Sequence, residues 1–202
     1  MLVKNCMTPD PITVRPEDGV NRTLDLLRKN RIRQAPVVKD GKLVGIVTDG
    51  DLRAAVLRQG ITTIGDAMSS PPITISEDAT LEGAAKMIRD FKFNALPVLS
   101  RRGELVGIIT VTDVLDGLLK LLGFHEEPVR VMVKIPEGVD VYEILKVLKV
   151  CSDRIVSFSS STECYDTFYF WLIGCDFDRL DRKLREKRLN VTVNYPRTHD
   201  DN

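Results

Sequence analysis

The first 120 residues of this 202-residue chain contain one pattern twice, and this duplication limits the possible folds more than any other feature. Residues 43–52 read LVGIVTDGDL, and residues 105–114 read LVGIITVTDV. In both copies, an apolar run with an internal glycine ends in Thr-x-x-Asp and leads into a helical pattern. The runs have the length of buried strands, and Gly45 and Gly107 indicate the close approach of another backbone segment.

The spacing of the prolines shows that a whole unit is duplicated and not just one strand. Pro11 and Pro72 lie 61 positions apart, whereas the two glycines of the repeated strand lie 62 apart, so the second copy has one extra residue. We therefore predict two similar subdomains, at residues 1–62 and 63–122.

Each copy follows the same order of predicted elements. A short strand, at 12–14 and 73–75, precedes an amphipathic helix. A Pro-Val strand, a turn that contains glycine and the repeated strand follow, and a second helix closes each copy at 51–58 and 113–122. Strands and helices that alternate in this way indicate the α/β (α+β) fold class.

The Thr-x-x-Asp sequence has two interpretations. At a strand-to-helix junction, free backbone N–H groups and the helix dipole favour a phosphate, and a carboxylate one turn later can accept hydrogen bonds from sugar hydroxyls. The same residues also form a helix cap, with Thr48 or Thr110 as the N-cap and an acid in the first turn. Capping alone and capping with a ligand both explain the pattern.

Residues 129–202 are predicted to form a second domain, after a linker at residues 123–128. Residues 129–135 alternate between apolar and polar at most positions, which is typical of a half-buried strand. A helix, two strands, a charged helix and a closing strand follow, at 141–148, 154–159, 167–173, 176–188 and 191–193. This βαββαβ order is that of a ferredoxin-like split unit.

The composition argues against several functions. Lys plus Arg and Asp plus Glu both number 29, and this balance argues against nucleic acid as a partner. No apolar run approaches the ~18 residues of a membrane span, and the N-terminus lacks the features of a signal peptide, so we expect a cytoplasmic protein without a membrane partner.

The residues with reactive side chains form no recognisable catalytic arrangement. The four cysteines and two histidines show no metal-ligand spacing, and Cys151 and Cys175 are expected to be buried thiols. The sequence also lacks a Gly-rich Walker loop and a Ser/His/Asp arrangement. We therefore expect no enzyme activity, no catalytic cofactor and no metal.

The Pro-Val strand and Gly-Ile-x-Thr-x-x-Asp in each copy resemble the CBS domain, named after cystathionine β-synthase. Two copies resemble a CBS pair, or Bateman module, with pseudo-twofold symmetry. The resemblance implies an adenosine-containing ligand between the copies, such as ATP, ADP, AMP or S-adenosylmethionine. It also implies phosphate contacts at Thr48 and Thr110 and ribose contacts at Asp51 and Asp113. The implied base contacts are Ile12, Thr13, Ala35, Ile73, Thr74 and Leu96.

The charges beside the two implied sites differ. Arg33 corresponds to Asn94 in the second copy, and an arginine can bind a polyphosphate through charge-assisted hydrogen bonds. We therefore expect the site with Arg33 to prefer the more phosphorylated ligand. Arg31, which corresponds to Lys92, is expected to be an ordinary solvated charge.

The C-terminal order resembles the ACT domain, a regulatory module that often binds amino acids at dimer interfaces. The loop at 135–139 reads IPEGV, in which Pro and Gly are separated, so we expect dimerisation or partner docking in place of amino-acid binding. A CBS pair followed by an ACT-like region resembles the acetoin-utilisation accessory proteins of bacteria. An apolar stripe in the preceding helix fits either a homodimer face or internal packing against the C-terminal domain; its members are Leu115, Leu118, Leu119 and Leu122.

Two functions remain open at this point. The chain is a regulatory sensor of an adenosine-containing ligand, or it is a structural interaction protein whose ligand sites are degenerate. A role in acetoin utilisation is compatible with either.

Overall fold

The computed structural model describes residues 1–58, 60–189 and 191–194, which form two compact units. The first unit is Met1–Leu118, and the second begins at Leu119. Strands and helices alternate in both units, and this confirms the mixed α/β fold class.

Repeat 1 is built on an antiparallel hairpin of two strands. In the order of the chain, the elements between residues 8 and 67 are β1 (Thr8–Pro9), α1 (Val20–Lys29), β2 (Gln34–Lys39), β3 (Lys42–Thr48), α2 (Asp49–Val56) and α3 (Ile64–Ala67). The strands β2 and β3 form the hairpin. Helix α1 buries Val20, Leu24 and Leu27, whose spacing places them on one face of the helix.

Repeat 2 has the same construction. Its elements are β4 (Ile75–Ser76), α4 (Leu81–Phe91), β5 (Ala95–Leu99), β6 (Leu105–Thr110) and α5 (Val111–Leu121). The strands β5 and β6 pair antiparallel, and β4 lies parallel to β5. Helix α4 begins after Thr80, whose side chain accepts a hydrogen bond of 3.1 Å from the amide of Gly83.

The first predicted strand of each repeat is shorter in the structure. Residues 12–14 contribute a single parallel bridge, from Val14 to Val37. In the second repeat, β4 contains two residues. The prolines in the sequence before these strands lack the N–H that strand pairing requires.

Each repeat is completed by the first residues of the other repeat. Strand β1 pairs antiparallel with β6 of repeat 2, and Ser69 forms a bridge to Ile46 of repeat 1. Val3 belongs to the hydrophobic core of repeat 2, and Ile64 belongs to that of repeat 1. The two repeats are therefore interlocked, and their cores do not follow the order of the sequence.

The glycines of the repeated strands make this exchange possible. A Cβ on Gly107 would lie 2.5 Å from Sδ of Met7 and 3.0 Å from the carbonyl oxygen of Thr8. A Cβ on Gly45 would lie 2.5 Å from Sδ of Met68 and 3.0 Å from the carbonyl oxygen of Ser69. The predicted close approach of another backbone segment is confirmed at both glycines.

The second unit follows the predicted βαββαβ order. Its elements are β7 (Val129–Lys134), α6 (Val141–Cys151), β8 (Arg154–Ser160), β9 (Thr167–Ile173), α7 (Phe177–Glu186) and β10 (Thr192–Asn194). The sheet has the order β10-β7-β9-β8, and all neighbours are antiparallel. The predicted domain ended at residue 202, but residues 195–202 lie outside the described residues.

The core of the second unit lies between the sheet and its two helices. Phe170 and Leu172 of the sheet pack in one cluster with Ile144 of α6 and Leu180 of α7. Cys151 is a buried member of this core, as predicted, whereas Cys175 packs against it and is only partly buried. Burial raises the pKa of Cys175 to about 11, and it also raises the pKa of Cys151, so both side chains stay protonated and poorly nucleophilic.

The leucines of α5 divide between buried and exposed positions. Leu118 packs against the core of repeat 2, whereas 55% of Leu115 and 45% of Leu119 are exposed. The apolar stripe is therefore only partly covered within the chain.

We expect acid to loosen the contact between the N-terminal segment and repeat 2. The side chain of Asp78 accepts hydrogen bonds from Lys4 (2.9 Å) and Arg101 (2.6 Å), and these lower its pKa. A lowered carboxyl pKa stabilises the fold above the unfolded pKa of ~3.9, and this contribution is lost as the pH falls through the folded pKa. The melting temperature of Asp78→Asn should therefore fall less than that of the parent between pH 6 and pH 3. An equal fall in the melting temperatures of the parent and the variant over this pH range would contradict the expectation.

Candidate functional site

The two Thr-x-x-Asp sequences form capping boxes at the starts of α2 and α5. The amide of Asp51 donates to Oγ1 of Thr48 (3.1 Å), and Oδ2 of Asp51 accepts from the amide (2.9 Å) and the hydroxyl (2.7 Å) of Thr48. The corresponding distances for Thr110 and Asp113 are 3.2, 2.7 and 2.8 Å. The predicted helix-capping role is therefore confirmed in both repeats.

Capping leaves part of each junction available for a ligand. In both aspartates a single oxygen, Oδ2, accepts the capping hydrogen bonds, and among the described residues no donor is assigned to Oδ1. Both carboxylates are partly exposed. Since a carboxylate oxygen accepts more than one hydrogen bond, each aspartate can hold the helix start and also bind a sugar hydroxyl.

The Thr110 junction opens into a cleft of about 540 Å³ between the two repeats. Repeat 1 contributes Asp10, Ile12, Arg31 and Arg33 to its lining, and the other lining residues from residues 1–36 are Thr8, Pro11, Ile32, Gln34 and Pro36. The lining residues from repeat 2 are Asn94, Ile108, Thr110, Val111 and Thr112. This volume suits a small-molecule ligand, since such sites usually measure about 300–1,000 Å³.

The cleft combines a phosphate-binding type of junction with two guanidinium groups. The start of α5 offers the amide of Thr112 and the positive end of the helix dipole. Arg31 and Arg33 supply positive charge from the facing repeat, and Asp10 supplies one negative charge. Arg31, which was expected to be an ordinary solvated charge, is exposed but also lines the cleft.

The structure brings only some of the implied site residues together. Ile12, Arg33 and Thr110 line the same cleft, although Thr110 lies in the other repeat. Ile73 is 38% exposed, as is Ile12, in agreement with their equivalent positions. Thr13 and Thr74 line two other surface depressions, each away from Thr110.

Ala35 and Leu96 are fully buried, and neither lines the cleft. Thr48 and Asp51 form the second junction and do not line the 540 Å³ cleft. Asp113 is not a lining residue either, but it is hydrogen-bonded to Thr110, which lines the cleft.

Sequence reasoning missed Asp10, Thr112 and Asn94 as cleft residues. Thr112 is one of the two unspecified positions of Thr-x-x-Asp, so the sequence already predicted that it lies at the start of a helix. Asp10 was not, because its position depends on the pairing of β1 with the other repeat, which leaves no periodic signal in the sequence.

The first unit thus defines a class of protein: a tandem pair of interlocked α/β repeats with a ligand-sized cleft between them. The family model of the CBS domain matches residues 3–58 and again residues 64–120. The chain therefore belongs to the CBS domain family, and it contains two CBS domains in tandem.

Two curated proteins illustrate the relationship. An inosine-5′-monophosphate dehydrogenase of Korarchaeum cryptofilum is 41% identical over 105 residues, which cover 52% of this chain and 22% of the enzyme. The CBS domain-containing protein DDB_G0289609 of Dictyostelium discoideum is 34% identical over 136 residues, which cover 60% of this chain and 94% of that protein. The chain therefore spans about a fifth of the dehydrogenase.

Solved structures agree with the fold of the first unit. CBSX2 in complex with AMP is 31% identical, with a TM-score of 0.56, and the match covers 59% of this chain and 97% of that one. The CBS pair of MJ0100 with 5′-methylthioadenosine and S-adenosyl-L-methionine is 30% identical, with a TM-score of 0.55 and coverages of 58% and 95%. A putative acetoin utilization protein (AcuB) from Vibrio cholerae is 30% identical, with a TM-score of 0.56 and coverages of 63% and 96%.

Among residues 1–58, 60–189 and 191–194, no group of three or more His, Cys, Asp or Glu side chains is placed to hold a metal ion. No helix in the described part of the chain is long and apolar enough to cross a bilayer.

Proposed function

We propose that this protein is a cytoplasmic, non-catalytic regulator whose CBS pair binds an adenosine-containing ligand. One observation carries the proposal: a cleft of about 540 Å³ that places Arg31 and Arg33 of one repeat opposite Thr110 at a helix start of the other. The complexes of CBSX2 with AMP and of the MJ0100 pair with two adenosyl ligands support this ligand class.

The binding mode follows from the groups in the cleft. A phosphate would lie at the start of α5, where the Thr112 amide and the two arginines offer donors and positive charge. The ribose hydroxyls would donate to the remaining carboxylate oxygen of Asp113. The base would contact the apolar side chain of Ile12 and the lining residues Gln34 and Pro36, which flank the buried Ala35.

Ligand binding can be transmitted because the cleft is formed by both repeats. A ligand that contacts residues of both repeats stabilises the arrangement to which it binds best, and it changes the population of the others by that difference in affinity. Strand β1, at the start of repeat 1, is paired with β6, so a shift of repeat 1 would also move part of repeat 2.

The second unit is proposed to be an ACT-like domain that mediates homodimerisation or docking of a regulated partner. Its sheet order and its two helices on one face support this assignment. The proposed domain division is residues 1–62, 63–122, a linker at 123–128, and 129–202. The likeness to the Vibrio protein supports membership of the acetoin-utilisation accessory group.

A panel of ATP, ADP, AMP, NAD and S-adenosylmethionine in a thermal-shift assay tests the ligand class. A ligand at one hundred times its Kd adds about 2.7 kcal/mol, which corresponds to a rise of roughly 5–10 °C for a protein of this size. No rise with any of the five compounds would favour the second candidate, a scaffold in which the Thr-x-x-Asp sequences act only as caps. Turnover of any compound by the pure protein would contradict the non-catalytic assignment.

Asp113→Asn and Asp51→Asn assign the sites, because Asn keeps the size of the side chain and one oxygen that can accept the capping hydrogen bonds, while the second oxygen becomes a donor NH₂ group. We expect the Asp113 variant to weaken binding in the open cleft about tenfold or more, since it removes a charge-assisted hydrogen bond. Isothermal titration measures the change. If both substitutions weakened ligand binding equally, this would contradict the assignment of the ligand to the Thr110 junction.

Arg33→Ala should lower the affinity for ATP more than the affinity for AMP, because additional phosphates gain more from a guanidinium in the cleft. We expect the ratio of the two affinities to change about threefold to tenfold. Arg28→Ala is a suitable control, because Arg28 lies on an exposed face of α1 outside the cleft lining. An unchanged ratio would show that Arg33 does not bind the additional phosphates.

A further inference from the structure

The two strand-to-helix junctions have the same backbone arrangement. The amide of Val111 donates to the carbonyl of Asn94 (3.1 Å), and the amide of Asp49 donates to the carbonyl of Arg33 (2.8 Å). Both junctions also have the capping box described above. Position 49 therefore has the same place at its junction as position 111 has in the open cleft.

The side chains at these equivalent positions differ in charge. In the open cleft, the helix begins with Val111 and Thr112, both of which line the cavity without adding charge. At the Thr48 junction, the helix begins with Asp49 and Gly50, so a carboxylate replaces the valine and a hydroxyl is lost. The side chain of Asp49 is 31% exposed and forms an ion pair with Arg53, which offsets only part of its charge toward a ligand.

The residues just before β2 and β5, at equivalent positions of the two repeats, also differ. Arg31 in the lining of the open cleft corresponds to Lys92, and both residues adopt the same left-handed backbone conformation, with φ of 54° and 56°. A guanidinium binds a phosphate through two parallel hydrogen bonds, whereas an ammonium acts as a single charge. The next position changes from Ile32 to Phe93, whose partly exposed ring stacks on Phe91 at 5.7 Å.

All of these differences make the Thr48 junction less favourable for a phosphate than the Thr110 junction. We propose that Asp49 determines specificity between the two junctions: the Thr110 junction binds phosphorylated adenosine, and the Thr48 junction selects an adenosyl ligand whose 5′ substituent is uncharged or cationic. The inference rests on the proposed function and adds to it which ligand class each junction takes. A phosphate at the Thr48 junction meets a carboxylate at the helix start, and the repulsion between like charges disfavours it. A thioether or a sulfonium at the same place meets no such penalty.

A reciprocal exchange of residues 49 and 111 tests this inference. The probes are AMP and 5′-methylthioadenosine, titrated separately into the full-length protein by calorimetry. The parent should bind one AMP per chain with high affinity. Val111→Asp should weaken AMP at least about tenfold and leave 5′-methylthioadenosine within about twofold. Asp49→Val should allow a second AMP to bind per chain.

Two neutral variants separate charge from shape. Asp49→Asn should resemble Asp49→Val in its gain of AMP binding, and Val111→Asn should retain AMP. Because Asp49→Val and Asp49→Asn are read as gains of a site, their result does not depend on the folding of Val111→Asp. Two equal AMP sites in the parent that are unchanged in Asp49→Val would overturn the inference and leave the proposed function intact. Absence of binding for both probes would instead overturn the proposed function itself.

Discussion

Ile64→Ala should destabilise repeat 1 by about 2–5 kcal/mol, although residue 64 lies at the start of the predicted second repeat. The Ile64 side chain is fully buried and packs in the core that contains Leu27 and Leu52. Its amide donates to the carbonyl of Asp18 (2.9 Å), so the backbone is fixed in repeat 1 as well. Truncation to alanine leaves a cavity that this fixed backbone cannot close. Urea denaturation measures the loss of free energy of unfolding.

Methyl chemical shifts locate the effect. The changes should concentrate on Leu27 and Leu52 of repeat 1 and be small at Leu81 and Leu96, which lie in the core of repeat 2. Val3→Ala should give the opposite distribution, because Val3 is buried in repeat 2. Shifts of Ile64→Ala that fall mainly in repeat 2 would contradict the exchange of segments.

A leucine on the surface provides a control for the loss of stability expected in Ile64→Ala. Leu57 is 86% exposed just after α2, so Leu57→Ala should change the stability by less than about 0.5 kcal/mol. A loss in this control comparable to that of Ile64→Ala would indicate that Leu57 is covered in the protein in solution, for example by a second copy.

The elements with strong periodicity could be predicted from the sequence. Helix α1, the hairpin of β2 and β3 and the strand β9 all follow from apolar spacing and turn residues, which are local properties. The duplication also predicted that both Thr-x-x-Asp sequences would occupy the same kind of junction. The capping boxes confirm this, because capping depends on residues only three positions apart.

The composition of the cleft could not be predicted in this way. Ile12 and Thr110 line one cavity because β1 crosses to β6, and pairing between distant segments leaves no periodic pattern in either of them. Two of the implied base contacts, Ala35 and Leu96, proved to be core residues for a related reason. Their strands are buried on both faces, and a continuous apolar run does not distinguish a face that borders a cleft from one that borders a core.

Gly107→Ala should cost about 1–3 kcal/mol, the typical cost of forcing an additional methyl group into a closely packed site. The new Cβ would lie 3.0 Å from the carbonyl oxygen of Thr8. That oxygen belongs to β1, which is paired with β6, so it cannot move without a loss of strand pairing. Since β1 leads directly into Asp10 and Ile12 of the cleft lining, the same substitution should also weaken the binding of AMP.

Gly50→Ala is the matched control for this glycine. Its Cβ would lie 3.5 Å from Oγ1 of Thr48, an ordinary contact, and alanine in a helix is favoured over glycine by up to about 1 kcal/mol. The two substitutions should therefore change the free energy of unfolding in opposite directions. A double-mutant cycle with Met7→Ala identifies the cause, because Sδ of Met7 would lie 2.5 Å from the new Cβ of residue 107. A favourable coupling in the double variant is expected, and strict additivity would show that the methionine does not limit the space.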